Sequence, residues 1–335
     1  LAVLYSFSKC CGQMAQNGIE LKIAEHLFRH YGVMGSLKRL AGQNLNYLVF
    51  SETGDLFVTK IVGEDEPDGV SDMEFALLEY ARNAGFSLEL PSIIKTYNKK
   101  YKTGIKLPMK GVYRLRLMHY IEGTVLENLC DISSELLKSC GKTLAAFDRA
   151  LEGFDHPAAH RAGDWELVRA GRQREKLGSI EDPVLQHRVA WALDRWAEVQ
   201  PALNGLPRQL IHGDANKENI IVRDERVSGL VDFGDACFNP RVCELAICLA
   251  YLMMDREDPM DTAGIVVRAY CDELQLLDQE LDVLFQLVCG RLAVSICMAS
   301  DRLKDERDNP NLFVSLEPAA ALLGKLHEIG VWRMC

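Results

Sequence analysis

Two short polar segments, each beside an apolar run, constrain this chain most. Residues 212–219 read HGDANKEN and precede the apolar run 220–222, while residues 229–235 read GLVDFGD. Short apolar runs split by Asp, Asn and Gly predict strands joined by tight turns. Gly213 and Gly234 supply the backbone freedom that close turns need. The pattern therefore predicts a small β insertion that carries several polar side chains in a fixed order.

The polar side chains of these segments suit phosphoryl transfer. That reaction needs a carboxylate to accept the proton of the attacking hydroxyl and a divalent metal to screen phosphate charge. Asp214 is the candidate catalytic carboxylate. Asn219 and Asp232 are candidate Mg²⁺ ligands, because this ion prefers hard oxygen donors. The alternative is a pair of polar turns that cap a hairpin. The complete ordered pattern, with a hairpin-length gap, favours the catalytic interpretation.

A lysine and a glutamate upstream are candidates for nucleotide binding. Lys60 lies in a β-type run, where a period of two places it on the same face as Val58. A lysine on an apolar face needs an anion, and the α- and β-phosphates would serve; a strand-end lysine that reaches solvent is the alternative. Helical spacing places Glu74 on the stripe of Leu77, where it would pair with Lys60. A capping box that begins at Ser71 would also explain Glu74.

Two further segments are predicted to reach the nucleotide. The loop 42–46 has one glycine and three amide side chains, of which Asn46 is the candidate phosphate contact. The segment 117–123 follows the last predicted strand of the small unit, and its backbone would meet a purine edge. An ordinary interdomain strand is the alternative. The residues concerned are Met118, His119 and Tyr120.

Hydrophobic periodicity divides the chain into a small and a large part. Apolar runs at 45–50 and 56–62 predict a hairpin, and two further strand segments are expected within 107–121. From about residue 133 the spacing is mostly helical. The predicted fold class is therefore α+β. The expected parts are a small lobe with an antiparallel sheet over residues 1–118, a hinge at 119–123 and a larger, mostly helical lobe at 124–335. Helices are expected at 17–34, 71–84, 184–203 and 278–303.

Charge and cysteine content exclude several classes of protein. Among 335 residues, 48 Asp and Glu outnumber 38 Lys and Arg, so the net charge of −10 disfavours sequence-independent binding to nucleic acid. No apolar stretch is expected to be long enough to span a bilayer, so no membrane partner is predicted. The 11 cysteines include no C-x-x-C pair, which predicts free thiols in a reducing cytoplasm.

The quoted residues resemble the aminoglycoside phosphotransferase and choline kinase superfamily. The triplet 212–214 stands where protein kinases have His-Arg-Asp, and no Ala-Pro-Glu segment follows Asp232. The resemblance covers about residues 20–330 and implies a two-lobed protein-kinase-like fold. It also implies a small-molecule acceptor, with Mg²⁺ as cofactor and ATP or GTP as phosphoryl donor. Direct in-line transfer without a covalent enzyme intermediate is expected.

Within that superfamily, the chain most resembles the hydroxylysine kinases. The matching segments include 153–157, 242–246 and 290–292. This resemblance implies phosphorylation of the hydroxyl of 5-hydroxylysine, an acceptor that bears amino groups. It also implies that Glu244 supports the catalytic loop, as His212 is expected to do by hydrogen bonding.

Residues that bind the acceptor are less constrained by the sequence. Asp235 is the best-placed carboxylate for an ammonium group, and Arg291 or Arg161 would meet a substrate carboxylate. Either arginine is otherwise a structural ion-pair partner. Trp165 is a candidate wall of the binding site, with a core position as the alternative.

Several other functions stay open at this stage. Homoserine, choline, ethanolamine or an aminoglycoside would suit the same chemistry as acceptor. A non-catalytic nucleotide-binding domain, or a domain related to those fused to a pyridoxal-phosphate aminotransferase, is the competing class. The presence of one full set of five residues for catalysis, metal binding and phosphate binding argues against that class. These residues are Lys60, Glu74, Asp214, Asn219 and Asp232.

Overall fold

A computed structural model describes residues 18–40, 45–63, 66–67, 69–304 and 310–330. The chain divides into two compact units. The first contains the described residues between 18 and 67 together with Pro91–Ile121, and the second contains Gly69–Leu90 together with the described residues from Glu122 onward. The second unit thus includes residues 69–90, which lie inside the small lobe predicted from the sequence. The lobe and hinge boundaries stay a prediction.

Among the residues that the structure describes, the first unit is an antiparallel sheet with one helix. Its strands have the order β1-β2-β3-β6-β4, and β5 pairs with β6. Apolar residues of the helix, including Ile23 and Leu27, pack with sheet residues such as Val49, Ile61 and Leu115. The elements are α1 Gly18–Tyr31, β1 Gly35–Arg39, β2 Leu45–Ser51, β3 Leu56–Val62, β4 Ile93–Ile94, β5 Thr103–Ile105 and β6 Tyr113–His119.

The predicted hairpin is confirmed by β2 and β3, whose register places Asn46 opposite Lys60. The expectation of two strands within 107–121 is wrong, because that range contains only β6. Gly111 has a φ of 112°, a left-handed conformation that interrupts extended backbone before the strand begins.

The second unit is mostly helical. Polar caps at the starts of helices explain several boundaries: the Asp182 carboxylate accepts from the Val184 N–H, and the Asp258 carboxylate accepts from Met260 and Asp261. A proline follows each of these caps, at a position where its missing N–H costs nothing. The helices are α2 Val70–Asn83, α3 Ser134–Ala150, α4 Pro183–Val199, α5 Val242–Leu252, α6 Pro259–Glu273, α7 Asp278–Arg302 and α8 Pro310–Ile329.

The start of α2 excludes one alternative for Glu74. The N-cap is Gly69, with no side-chain cap hydrogen bond, so Ser71 lies inside the helix. A capping box from Ser71 to Glu74 therefore does not form.

The long helix α7 lies at the centre of the second unit and contacts α4, α5 and α8. The expectation that no apolar stretch is long enough to span a bilayer is wrong for this helix by length and composition alone. However, 94% of its most apolar window is buried inside the protein. Burial of this kind is expected of a core helix in a large domain.

Two pairs of short strands hold the polar motifs in the second unit. Strand β8 pairs with β11, and β9 pairs with β10. Residues 212–219 connect β8 to β9, and residues 231–236 connect β10 to β11, so both polar segments begin and end on paired strands. The strands are β7 Thr124–Val125, β8 Arg208–Ile211, β9 Ile220–Arg223, β10 Arg226–Leu230 and β11 Cys237–Pro240.

Candidate active site

The loop after β8 requires glycine at position 213. Gly213 has a φ of 78°, and a Cβ there would lie 2.5 Å from the carbonyl oxygen of Asp235. Only glycine adopts this conformation and permits this close approach without strain. The two polar segments are therefore in direct backbone proximity, as the sequence pattern requires for a shared site.

The Asp214 carboxylate is held at both oxygens by protein donors. Its Oδ1 accepts from Nη2 of Arg291 at 2.7 Å. Its Oδ2 accepts from the side-chain amides of Asn216, at 3.0 Å, and Asn219, at 3.1 Å. The Asn219 amide also donates to the Asp214 carbonyl oxygen at 2.8 Å. The Asp214 side chain is 22% exposed, so a small molecule can still reach its carboxylate.

The buried side chains of His212 and Glu244 support this loop through hydrogen bonds. His212 is fully buried, its Nε2 lies 3.0 Å from the Val231 carbonyl oxygen, and its Nδ1 lies 3.3 Å from the Asp214 N–H. These partners require a proton on Nε2 and a lone pair on Nδ1. Burial lowers the pKa of His212, so the ring stays neutral and bridges both motifs. One Glu244 carboxylate oxygen accepts from the His212 and Gly213 N–H groups.

Burial raises the pKa of Asp214 to about 7. The Arg291 guanidinium lowers that pKa, whereas the carboxylates of Asp235 and Asp232 raise it further. A carboxyl group with a pKa near neutrality is suited to accept a proton during a reaction. Its surroundings therefore fit a general base.

Asn219 and Asp232 offer the oxygen atoms that a hard cation needs. The Asn219 amide nitrogen donates to Asp214, which leaves its Oδ1 for another partner. Asp232 has a left-handed backbone with a φ of 60°, and its carboxylate accepts from the Gly234 N–H at 3.4 Å. Mg²⁺ is commonly bound by one or two protein oxygen ligands with phosphates and water completing the shell. In the described parts of the chain, no cluster of three His, Cys, Asp or Glu side chains suits a metal.

A hollow with a volume of about 50 Å³ lies beside the loop 212–219, and Gly213 lines it. This volume admits only a small group, so most of any acceptor would lie outside it. Its wall is formed in part by residues of the two polar segments and of the segment 161–167. The lining includes Arg161, Asp164, Trp165, Gly213, Asp235 and Cys237.

The predicted substrate residues have different surroundings. Asp235 lines the hollow and is exposed. Trp165 lines it too, and the Arg291 guanidinium lies 5.2 Å from the Trp165 ring centre. Arg291 is 1% exposed and is bonded to Asp214. Arg161 donates to the carbonyl oxygens of Ala158, Gly234 and Ala236. Arg291 is thus an ion-pair partner of Asp214, as the structural alternative has it, whereas Arg161 is held by carbonyl oxygens.

The predicted nucleotide residues lie mainly in the first unit. Lys60 is buried on β3, and Oδ1 of Asn46 is buried without a hydrogen-bond partner in the described structure. The N–H groups of His119 and Tyr120 donate to the carbonyls of Ser92 and Leu56. A purine edge would therefore need other backbone atoms of this segment. Met118 is buried on β6.

Glu74 lies in the second unit and is 1% exposed, so its predicted pairing with Lys60 stays a prediction. Of the other residues in the loop 42–46, Gln43 and Asn44 lie outside the described residues.

Sequence reasoning missed four residues of the site. Asn216 holds Asp214, and the Tyr251 hydroxyl lies 3.1 Å from Nη2 of Arg291. Asp164 lines the hollow, and the Arg302 guanidinium lies 5.6 Å from the Trp165 ring centre. Only Asn216 carried a signal, because its position two residues after Asp214 places it inside the catalytic motif. The others lie far along the chain from that motif.

Comparison with known protein families shows which family this chain belongs to. Residues 36–280 match the family described as "Phosphotransferase enzyme family". The chain belongs to the phosphotransferase enzyme family. Its curated relatives include hydroxylysine kinase of Xenopus laevis, 30% identical over 64% of this chain and 62% of the relative, and hydroxylysine kinase of Danio rerio, 23% identical over 92% and 91%. Homoserine kinase of Gluconobacter oxydans is 27% identical over 67% of this chain and 68% of that protein. The chain thus spans less than two thirds of the Xenopus relative.

Solved structures of two small-molecule kinases share the fold. Amicoumacin kinase hAmiN, in complex with AMP-PNP, Ca²⁺ and Ami, has a TM-score of 0.69 at 14% identity, over 94% of this chain and 98% of that one. The microcompartment-associated aminopropanol kinase has a TM-score of 0.68 at 15% identity, over 94% and 100%. At these identities the likeness shows the fold alone. The predicted kinase-like α+β fold is confirmed.

Proposed function

We propose that this phosphotransferase moves the γ-phosphoryl group of ATP or GTP to the hydroxyl of a small amine, with 5-hydroxylysine as the leading acceptor. The observation that carries the proposal is the Asp214 carboxylate, which two amides and a guanidinium orient and whose neighbour Gly213 lines the hollow. The named hydroxylysine kinase relatives support this choice of acceptor. Unpaired thiols in the described residues suit a reducing cytoplasm.

The proposed mechanism gives the proton and the phosphoryl group separate destinations. The acceptor hydroxyl donates to Asp214, whose carboxylate takes the proton as the oxygen attacks the γ-phosphorus. The bond from that phosphorus to the β,γ-bridging oxygen breaks, and the nucleoside diphosphate leaves. Asp214 then releases its proton to solvent. His212 takes no part in proton transfer, because both of its ring nitrogens are engaged within the protein.

Asn219 and Asp232 are the proposed ligands for Mg²⁺. When bound, the ion would neutralise charge on the phosphates. Asn219 Oδ1, which accepts no hydrogen bond from the described residues, and the Asp232 carboxylate supply oxygen donors of the required type. For the nucleotide itself, we assign phosphate contact to Lys60, with Glu74 as its counter-charge, and to Asn46. Backbone atoms of residues 118–120 would contact the purine ring of the nucleotide.

Three charged side chains at the candidate site are proposed to receive the charged groups of 5-hydroxylysine. This acceptor has an ammonium group on the carbon next to its hydroxyl carbon, so a carboxylate is needed close to the base. Asp235 lines the hollow and acts on the pKa of Asp214, which places its charge close to that of the base. At the far end of the molecule the acceptor carries a second ammonium and a carboxylate. We assign these groups to Asp164 and Arg302.

Homoserine is a second candidate, since homoserine kinases are among the curated relatives. Its ammonium group is separated from the hydroxyl carbon by one further carbon. A carboxylate next to the base suits it less well than it suits a vicinal amino alcohol.

The test is a phosphoryl-transfer screen with Mg²⁺. It crosses ATP and GTP with hydroxylysine, homoserine, choline, ethanolamine and an aminoglycoside, and it measures nucleoside diphosphate release and phosphorylated product. Turnover that favours hydroxylysine supports the proposal, and the ratio of rates with GTP and ATP gives the donor. Turnover on another acceptor alone contradicts the assigned substrate. Nucleotide binding without turnover on any acceptor contradicts the proposed reaction.

A further inference from the structure

Arg291 is an unusual residue for the middle of a core helix. It lies in α7, and its side chain is only 1% exposed. Its Nη2 donates to Asp214 Oδ1 at 2.7 Å and lies 3.1 Å from the Tyr251 hydroxyl. Its Nη1 donates to the Trp165 carbonyl at 3.1 Å. The guanidinium therefore joins the catalytic loop, helix α5 and the wall of the hollow.

Stability alone does not explain this arrangement. Removing a guanidinium from water costs several kcal/mol, and a buried ion pair often stabilises no better than apolar side chains of similar volume. Nε of Arg291 is also buried, with no hydrogen-bond partner in the described structure. A buried donor without a partner in a native protein calls for an explanation, and a functional site is one of the few that apply.

The orientation of the carboxylate supplies that explanation. Oδ2 of Asp214 accepts hydrogen bonds from two side-chain amides, which fill its acceptor capacity, whereas Oδ1 accepts from Arg291 alone among the described residues. The remaining acceptor site is therefore on Oδ1, the oxygen that Arg291 holds. The amides and the guanidinium together prevent rotation of the carboxylate about its Cβ–Cγ bond.

We propose that Arg291 is a positioning residue that fixes Oδ1 of Asp214 as the atom that receives the acceptor's proton. The inference rests on the proposed function. Arg291 touches neither substrate in this account and acts through Asp214. Tyr251 and the Trp165 carbonyl hold the guanidinium in turn, so they transmit the position of α5 and of the hollow's wall to the base.

The test compares kcat and KM for three variants with hydroxylysine and Mg²⁺-nucleotide. Arg291→Gln is expected to lower kcat about a hundredfold, the cost of a displaced catalytic group. Arg291→Lys keeps the charge but loses the fork, and a fall of about tenfold is expected. Tyr251→Phe removes one hydrogen bond to the guanidinium and leaves the ion pair, so about a threefold fall is expected. The nucleotide KM should stay within about twofold in all three.

Two controls separate positioning from a general loss of structure. Arg174→Gln removes a guanidinium from an exposed ion pair with Asp194, and its kinetics should match those of the wild type. The second control repeats Arg291→Gln in the Asp214→Asn background, with a radiolabelled donor to follow the residual rate. If Arg291 acts through the carboxylate, the added loss should shrink to under about threefold.

Each outcome decides the inference. Folded Tyr251→Phe and Arg291→Lys variants with unchanged kcat would overturn it, as would an undiminished hundredfold loss in the Asp214→Asn background. If Arg291→Gln fails to fold, the other two variants still decide. A wild-type protein that phosphorylates no acceptor would instead contradict the proposed function, so the two failures are distinguishable.

Discussion

Six charged side chains at the candidate site fall into two sets that differ in their protein contacts. Asp214, Arg291 and Arg161 each form two or more hydrogen bonds with protein groups. The side chains of the second set form no hydrogen bond or ion pair among the residues that the structure describes. This set consists of Asp235, Asp164 and Arg302.

The difference suggests a division of work. Charged groups that are already paired hold the catalytic geometry, and they gain little from a ligand because it would have to displace their partners. Charged groups without partners keep their full capacity for an ammonium or a carboxylate of the acceptor. Changes in the first set should therefore act on kcat, and changes in the second set should act on KM.

The largest expected effect comes from the paired set. Asp214→Asn keeps the shape of the side chain but removes the proton acceptor, so kcat should fall about a thousandfold or more. Nucleotide affinity with Mg²⁺, measured by calorimetry, should be retained. Asp224→Asn makes the same chemical change in an exposed turn and serves as the control. If the Asp214 variant loses nucleotide binding, its assignment as the base is wrong.

A smaller effect is expected from the unpaired set. Asp235→Asn removes the charge proposed to face the ammonium next to the hydroxyl, so the KM for hydroxylysine should rise about tenfold, equivalent to about 1.4 kcal/mol. The nucleotide KM should not change. Steady-state kinetics measure both constants. An Asp235 variant that lowers only kcat would place this residue in the catalytic set and break the division.

The smallest expected effect is on the stability of the protein and comes from Asp148. Burial raises the pKa of Asp148 to about 8, although the Tyr270 hydroxyl, which donates to it, lowers that pKa. The folded state therefore binds more protons than the unfolded state between about pH 4 and pH 8, so this group makes stability fall as pH rises through that range. Asp148→Asn should flatten the decline in urea unfolding series at several pH values. An unchanged slope would contradict this account.

The sequence predicted the local parts of the site. The HGDANKEN and GLVDFGD segments form turns between paired strands, and β3 and α7 lie within a residue of their predicted bounds. These features depend on neighbouring residues, turn chemistry and hydrophobic period, all of which a single sequence contains.

The rest depends on contacts between distant positions. Arg291 and Asp214 are 77 residues apart, and a helical pattern gives no reason to expect a bond between them. Helical spacing also cannot distinguish the two arginines of this helix. The Arg291 guanidinium is hydrogen-bonded to protein groups, whereas that of Arg302, in the last turn, forms no hydrogen bond in the described structure. The sequence therefore pointed to the proposed base but not to the side chains that hold it.

The most direct test of this division compares two arginines that contact the same ring. Arg291 and Arg302 both lie over Trp165, so Arg291→Gln and Arg302→Gln are the same change at two adjoining places. The measurement is kcat and KM for hydroxylysine and for 1-amino-2-propanol, an amino alcohol without a carboxylate. The account predicts that Arg291→Gln lowers kcat for both acceptors, while Arg302→Gln raises KM for hydroxylysine alone. Equal effects of the two variants on both acceptors would contradict it.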